Sequence, residues 1–577
     1  MSIHDRYKGV KDLIDSLLLG ILAYYSLYYI QYGLVYTVLE MDRITYFVLN
    51  KMPLTTYEID LIIIMATISL LLIKFNIGIY KLLAILSTII LGFYMISIGV
   101  PGNIIISLTI ITTLVSILRK RIKISSLVKG FLIILLVTQL MNFIASAINP
   151  YLSIDLLPII QYRLRSVETI IEYIVIILFI IYTWIQLLVM INKIIYPGKN
   201  ILSWNIFNYI KIFSEDTRNQ NLTLFHGLKG LVISICIVIF ILIYLHSPLH
   251  NPNFNPITVD TYFYWKFILL AKNKGLFNAL YTYNLARPVY LIFIYYLYLL
   301  LPIKDPVFLL DLFLPAIYLS LLIIAVYLVT SMYFDKNIAG LASLLTAIGH
   351  STTTFIAGGF QANSLALGLA ILWFYVYPRR PILLLPLSII TILIHPWTFF
   401  MYSGTIIVYH TFIRKQGKKK LFQLYTILAA SLLIGEITNW FLRSMSPTIA
   451  GTETISKSIY HVNSPLNWIR VFELWTWGSH ANYPIIALTI INPYYTFIST
   501  MLSIIAPFTI IGNEVLLHRL LLNTPIEILA AKVLSKINKQ ITIILILLTL
   551  IKTLYILTAL TPLNQEPWTN IIQAYYS

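Results

Sequence analysis

A carboxylate, Asp260, stands in the run Val259-Asp260-Thr261-Tyr262-Phe263-Tyr264-Trp265, just after the apolar stretch Leu231 to Leu245. A charged group at the mouth of an apolar span is costly to keep and marks a site of chemistry or binding. Partial desolvation beside Tyr262, Tyr264 and Trp265 raises the basicity of such an acid, which suits it to taking a proton from a hydroxyl. Its plainer alternative is a solvated loop acid or a partner of Lys266. Two arginines offer complementary charge. Arg519 opens an inward run that contains Pro525, and Arg287 precedes Pro288. The guanidinium fork matches phosphate oxygens and can stabilise a leaving phosphate, although an arginine at a membrane surface can also serve only as an anchor. His395, in the corner His395-Pro396-Trp397-Thr398, can donate or accept a hydrogen bond. Together with Trp397, and with His350 and Gln361 in the turn His350 to Asn363, it completes the set of candidate substrate contacts.

No cofactor is expected. A hard divalent cation wants several oxygen ligands, and Asp260 has no adjacent acidic partner, so a metal is not supported by a paired acidic motif. His350, His461, His480 and His518 are too scattered to form a metal-ligand spacing.

The elements that must position these residues are membrane spans. The chain has 577 residues, 59% of them hydrophobic and 11% charged, and a mean hydropathy of +0.85. Soluble domains carry about 25% charge. The excess of 40 Lys+Arg over 22 Asp+Glu falls in short loops between apolar runs, where it is a topology signal and not a nucleic-acid face. The single cysteine, Cys236, excludes an intramolecular disulfide and lies in an apolar run, where a buried, inert thiol is expected.

About six spans are expected in an N-terminal membrane domain, residues 1–195: 14–38, 60–74, 81–100, 103–118, 129–148 and 167–191. A polar stretch, 196–228, reads as a cytoplasmic linker, and 229–577 as a second membrane module with external loops 246–305 and 444–483. The run Val289 to Leu301, bounded by Pro288 and Pro302, is too short to span and reads as interfacial or re-entrant. With that helix not crossing, the basic clusters around Arg379, Lys418 to Lys420 and Lys532 to Lys539 all fall inside. The expectation is an all-α polytopic bundle of about seventeen spans in the cell membrane. Its N-terminus, a lead-in without a signal-peptide pattern, is cytoplasmic, and Asp260 and the C-terminus are external.

In its C-terminal half, about 229 to 560, the chain resembles the GT-C superfamily of membrane glycosyltransferases, archaeal type. The resemblance rests on the acidic motif at Asp260 after a first outward span, on Ala271 to Gly275, on Ala286 to Tyr290, and on the stretch from His518 through Arg519 and Pro525 to Ala531. It implies a polyprenyl-phosphate-linked sugar as donor and a glycan, lipid or protein as acceptor, in an inverting transfer. On this resemblance Asp260 is the general base, and Arg519 and Arg287 bind the donor phosphate. Trp475 and Trp477 stand without the aspartate of the oligosaccharyltransferase branch, so asparagine-linked transfer is not expected. Alternatives are a secondary transporter, which the many spans and the intramembrane acids Asp311, Glu436 and Glu527, with Glu168 and Glu172 near a span entrance, suggest, and an inactive GT-C-like scaffold or lipid-binding protein.

Overall fold

The computed structural model describes residues 12–13, 15–25, 27, 67, 124–148, 157–196, 227–248, 250–251, 256–258, 260–282, 287–303, 305–444, 483–492, 494–510 and 514–576. The expected spans 81–100 and 103–118, nearly all of 60–74, the linker from 197 to 226, the loop 445–482 with its tryptophans, and Val259 lie outside the described residues. Among the described residues every regular element is helical. Among the described residues six helices are long and apolar enough to cross a membrane: Ser126–Ile144, Ile174–Ile195, Leu228–Leu245, Phe308–Tyr333, Lys418–Thr438 and Lys539–Thr558. In length and composition these fit a membrane protein.

The chain forms two compact units. One comprises Met1–Ile174, Asn208–Asp216 and Asn538–Tyr555, and the other Val175–Phe207, Thr217–Ile537 and Ile556–Ser577. In the first, helix α1 (Ile124–Ile148) lies beside the start of the last helix, which runs from Lys539 to Tyr576, through a 2.6 Å hydrogen bond from Lys129 Nζ to Gln540 Oε1. Helix α2 (Leu157–Ile195) meets the same last helix deeper in, where Lys552 Nζ stands 3.1 Å from Glu172 Oε1. Both charges are almost wholly buried.

In the second unit, α3 (Leu228–Leu245) turns Ser234, Val238, Ile241, Leu242 and Leu245 inward, a spacing that defines one helical face. Cys236 lies opposite that face and is exposed, contrary to the buried thiol expected, because only one stripe of an apolar span need pack on protein. Three helices follow. Helix α4 (Thr261–Lys274) buries Tyr264, Phe267, Ile268 and Ala271, the i, i+3, i+4, i+7 pattern of an amphipathic helix. Next come α5 (Leu276–Thr282) and α6 (Pro288–Leu300), the latter with proline in its first turn, where the missing N–H costs nothing. At 13 residues α6 is about 20 Å long, short of the roughly 30 Å of a hydrocarbon core. A π-helical turn, Phe308–Phe313, then leads into α7 (Leu314–Tyr333).

Asp335 caps α8 (Lys336–Ile348), accepting from the N–H groups of Asn337 and Ile338 at 2.8 and 2.9 Å. Next are α9 (His350–Gly358), α10 (Gln361–Val376), α11 (Leu384–Ile394) and α12 (Pro396–Val408). Helix α7 packs along α8 and α10, and Gly368 of α10 lets its backbone approach Leu322 of α7. The remainder is α13 (Lys418–Ser444), α14 (Tyr483–Ile490), α15 (Phe497–Ile505), α16 (Glu514–Leu522), α17 (Glu527–Leu534) and α18 (Lys539–Tyr576).

Candidate functional site

Asp260 is the residue from which α4 begins, and its side chain makes no capping bond to that helix. The carboxylate is therefore left for something else. It is partly buried, and burial pushes its pKa up to about 6, against the opposing pull of Arg287 and then Arg519. Two arginines acting on one buried acid, without neutralising its raised basicity, describe a base that is charged at pH 7 and still eager for a proton.

Arg287 reaches this point because it precedes α6, whose Tyr290, Leu291 and Ile294 are packed on α4. Its Nη1 donates to the Tyr264 hydroxyl at 3.2 Å, and burial pushes the Tyr264 pKa up to about 12 against the opposing pull of that arginine. Arg519 comes from α16, with its guanidinium 5.9 Å from the centre of the Trp397 ring, a cation–π arrangement. Burial and the neighbouring Arg287 lower the Arg519 pKa, while Asp260 supports its charge. Four residues on, Asn523 Nδ2 donates to the Arg519 carbonyl at 2.7 Å, and the Tyr402 hydroxyl donates to the Asn523 carbonyl at 3.1 Å. The arginine's helix is thus fastened to α12.

His395 joins the same group. Its Nδ1 accepts from the Thr398 backbone N–H at 3.3 Å, capping α12, so the proton of the neutral ring sits on Nε2. Burial, then Arg287 and Arg519, hold its pKa far below the usual histidine value. It is a neutral donor, not a third cation beside Arg287 and Arg519. Thr398 Oγ1 lies 2.7 Å from His395 Nδ1 and within 3.0 Å of the side-chain oxygens of Asn363 and Asn523, which fixes the ring plane.

Asp260, Arg287, Arg519, His395, Tyr264 and Trp397 are thereby brought into one electrostatic neighbourhood. Other sequence candidates go elsewhere. Tyr262 is buried and packs edge-on against Trp265 at 6.3 Å, and Trp265 lies partly buried on the α4–α6 core. His350 is fully buried, 3.4 Å from Thr354 Oγ1. The Gln361 amide is engaged in the frame: its nitrogen donates to the Leu310 carbonyl at 2.6 Å and its oxygen accepts from Tyr290 at 3.0 Å. The side chain of His518 lies outside the described residues.

Other polar groups prove central. Asp311, fully buried in the π-turn, accepts from Ile257 N–H at 2.8 Å, from Thr258 Oγ1 at 3.1 Å and from Thr261 Oγ1, and stands 3.9 Å from His246 Nε2. Gly359, at φ +65, lies under the same loop. A Cβ there would meet Thr258 Oγ1 at 2.5 Å and the Asp260 nitrogen at 2.9 Å. The available sequence signals were an acid inside an apolar run and a paired glycine, Gly358-Gly359. Neither says which loop it serves. Glu527 accepts from Ser351 N–H and Oγ at 3.1 and 2.9 Å, which ties α17 to α9, whereas Glu436 lies on the exposed face of α13.

Among the described residues no group of three or more His, Cys, Asp or Glu side chains is placed to hold a metal ion. Chemically, the arrangement can take a proton at Asp260, donate one hydrogen bond from His395 and hold an anion between Arg287 and Arg519. The chain matches no protein-family model and no curated protein.

Proposed function

We propose that the protein is an integral membrane glycosyltransferase of GT-C type, with about seventeen spans. It moves a sugar from a polyprenyl-phosphate donor to an acceptor hydroxyl at the outer membrane face. The observation that carries this reading is the uncapped, partly buried Asp260 carboxylate set against Arg287 and Arg519. That is the pairing a sugar phosphate and an acceptor hydroxyl require: a base for one, fixed positive charge for the other.

In the reaction the acceptor O–H gives its proton to Asp260 as its oxygen attacks the anomeric carbon. The bond from that carbon to the phosphate oxygen breaks on the opposite side, and its electron pair leaves with the phosphate, so configuration inverts. Arg519 and Arg287 stabilise the charge that grows on the phosphate, and His395 Nε2–H donates to a sugar or phosphate oxygen. Asp260→Asn should leave the protein folded in the membrane and abolish transfer from a lipid-linked sugar in vesicles. Wild-type rates in that variant would sink the assignment.

One observation favours a second reading, ion-coupled transport: the buried Glu172–Lys552 pair among apolar helices. Gradient-dependent solute uptake into vesicles, unaffected by Asp260→Asn, would support it over the first.

A further inference from the structure

We infer that Asp311 is the positioning residue of the Asp260 site: a buried carboxylate that gathers the segment 257–261 and so sets where the reactive acid stands. The role rests on the reading of Asp260 given above, but its geometry does not. Three donors converge on Asp311 from one short stretch of chain: the Ile257 backbone N–H, the Thr258 hydroxyl and the Thr261 hydroxyl. They bracket the position at which Asp260 leaves the loop and α4 begins. A carboxylate can take several such bonds because it is acceptor-only, and each is stronger than a bond between neutral groups.

The surroundings make the arrangement specific. Asp311 has no exposed surface, and the π-turn Phe308–Phe313 that holds it is the local irregularity in an otherwise helical run to Tyr333. Single π-turns inside helices collect at functional sites, since the extra residue re-aims a side chain that a regular helix would point elsewhere. On the far side, Gln361 Nε2 donates to the Leu310 carbonyl and lies 3.4 Å from Thr261 Oγ1. Gly359 closes the space below Thr258 and Asp260. His246, at the end of α3, supplies the remaining polar neighbour; its Nδ1 lies 2.8 Å from the Leu242 carbonyl. The first outward span, the Asp260 loop and the next long apolar helix are thus tied at one carboxylate. It touches neither arginine of the site, so its influence runs through the backbone of 257–261. Displacing a catalytic group by about 1 Å can cost about a hundredfold in rate, so a loop held this firmly is consistent with chemistry at Asp260.

The test uses the full-length protein in lipid nanodiscs with Asp311→Ala, Asp311→Asn and the double variant Thr258→Ala/Thr261→Val. Two properties are read: amide hydrogen exchange in peptides covering 256–264, and the pH profile of sugar transfer. Each lost bond to the charged acceptor should speed exchange in that segment roughly tenfold, while α8 and α10 keep their protection. Asp311→Ala should lower kcat by about a hundredfold with little change in KM and displace the acid limb of the profile. Asp311→Asn, which keeps an acceptor, should recover part of both. Wild-type protection of 256–264 in Asp311→Ala overturns the inference. If that variant unfolds throughout, the threonine double variant decides, and unchanged protection there overturns it equally. If the segment loosens as expected but Asp260→Asn still transfers sugar at the wild-type rate, Asp311 still positions the loop and the role of Asp260 as base falls; if the segment loosens but the wild type transfers no sugar from a lipid-linked donor, the glycosyltransferase reading falls.

Discussion

At the scale of single residues, the site is a balance between burial and charge. Burial alone would drive Asp260 towards neutrality, and the two arginines return part of that shift, leaving a value of about 6. Activity that needs the ionised base should therefore rise through about pH 6 and level off above it. Arg519→Gln removes one of the restraining charges, so the acid limb should move to higher pH, and kcat/KM for the lipid-linked donor should fall by about tenfold or more. A pH series of initial rates checks both, and an unmoved limb would separate Arg519 from Asp260. The same shift has a stability consequence. An acid whose folded pKa lies above its unfolded value of 3.8 opposes folding once it ionises. The penalty is absent below about pH 3.8, grows to about pH 6 and is complete above. Asp260→Asn should raise the unfolding temperature at pH 7.5 relative to wild type and lose that advantage at pH 4, measured by thermal unfolding in detergent.

At the scale of elements, the site depends on turns more than on helices. The spacing Tyr264, Phe267, Ile268, Ala271 marks one face of α4 in the sequence itself, and Pro288 and Pro396 mark the starts of α6 and α12. The length of α6 was legible in the same way, bounded by Pro288 and Pro302. Gly359 was not, because its need for glycine comes from a positive φ and from a loop a hundred residues earlier in the chain. Gly359→Ala should misplace that loop, destabilising the protein by about 1–3 kcal/mol and lowering transfer more than donor binding. Unfolding midpoints and a kcat against KM comparison test this, and a variant with normal rates would show the loop has slack.

Across the whole molecule, chain order and compact units part company. Residues 538–555 belong with the first unit, and 556–577 with the second, although one helix carries both. Hydropathy reads where a span begins and ends, and is blind to which neighbour it packs against. The buried pair Glu172–Lys552 is one tie of this kind, joining residues 380 positions apart within the first unit. Glu172→Gln or Lys552→Met alone should cost about 3–5 kcal/mol, since each leaves a buried charge without its partner. The double variant should regain most of that loss. A double variant destabilised by the sum of the two singles, in denaturant unfolding from mixed micelles, would mean the pair contributes no coupling.

Composition by itself determined that the chain is helical and apolar enough for membranes, because 11% charge and long apolar runs leave few other places for it. It also drew attention to Asp260, Arg287, Arg519 and His395 as groups too costly to place idly near such runs. That these four share one neighbourhood was decided by tertiary structure alone, since they stand at helix ends and turns far apart in the chain, at separations no local pattern encodes. The same is true of Asp311. In the sequence it is one more acid in an apolar stretch, and only the folded loop reveals the three donors that give its charge a reason to be buried.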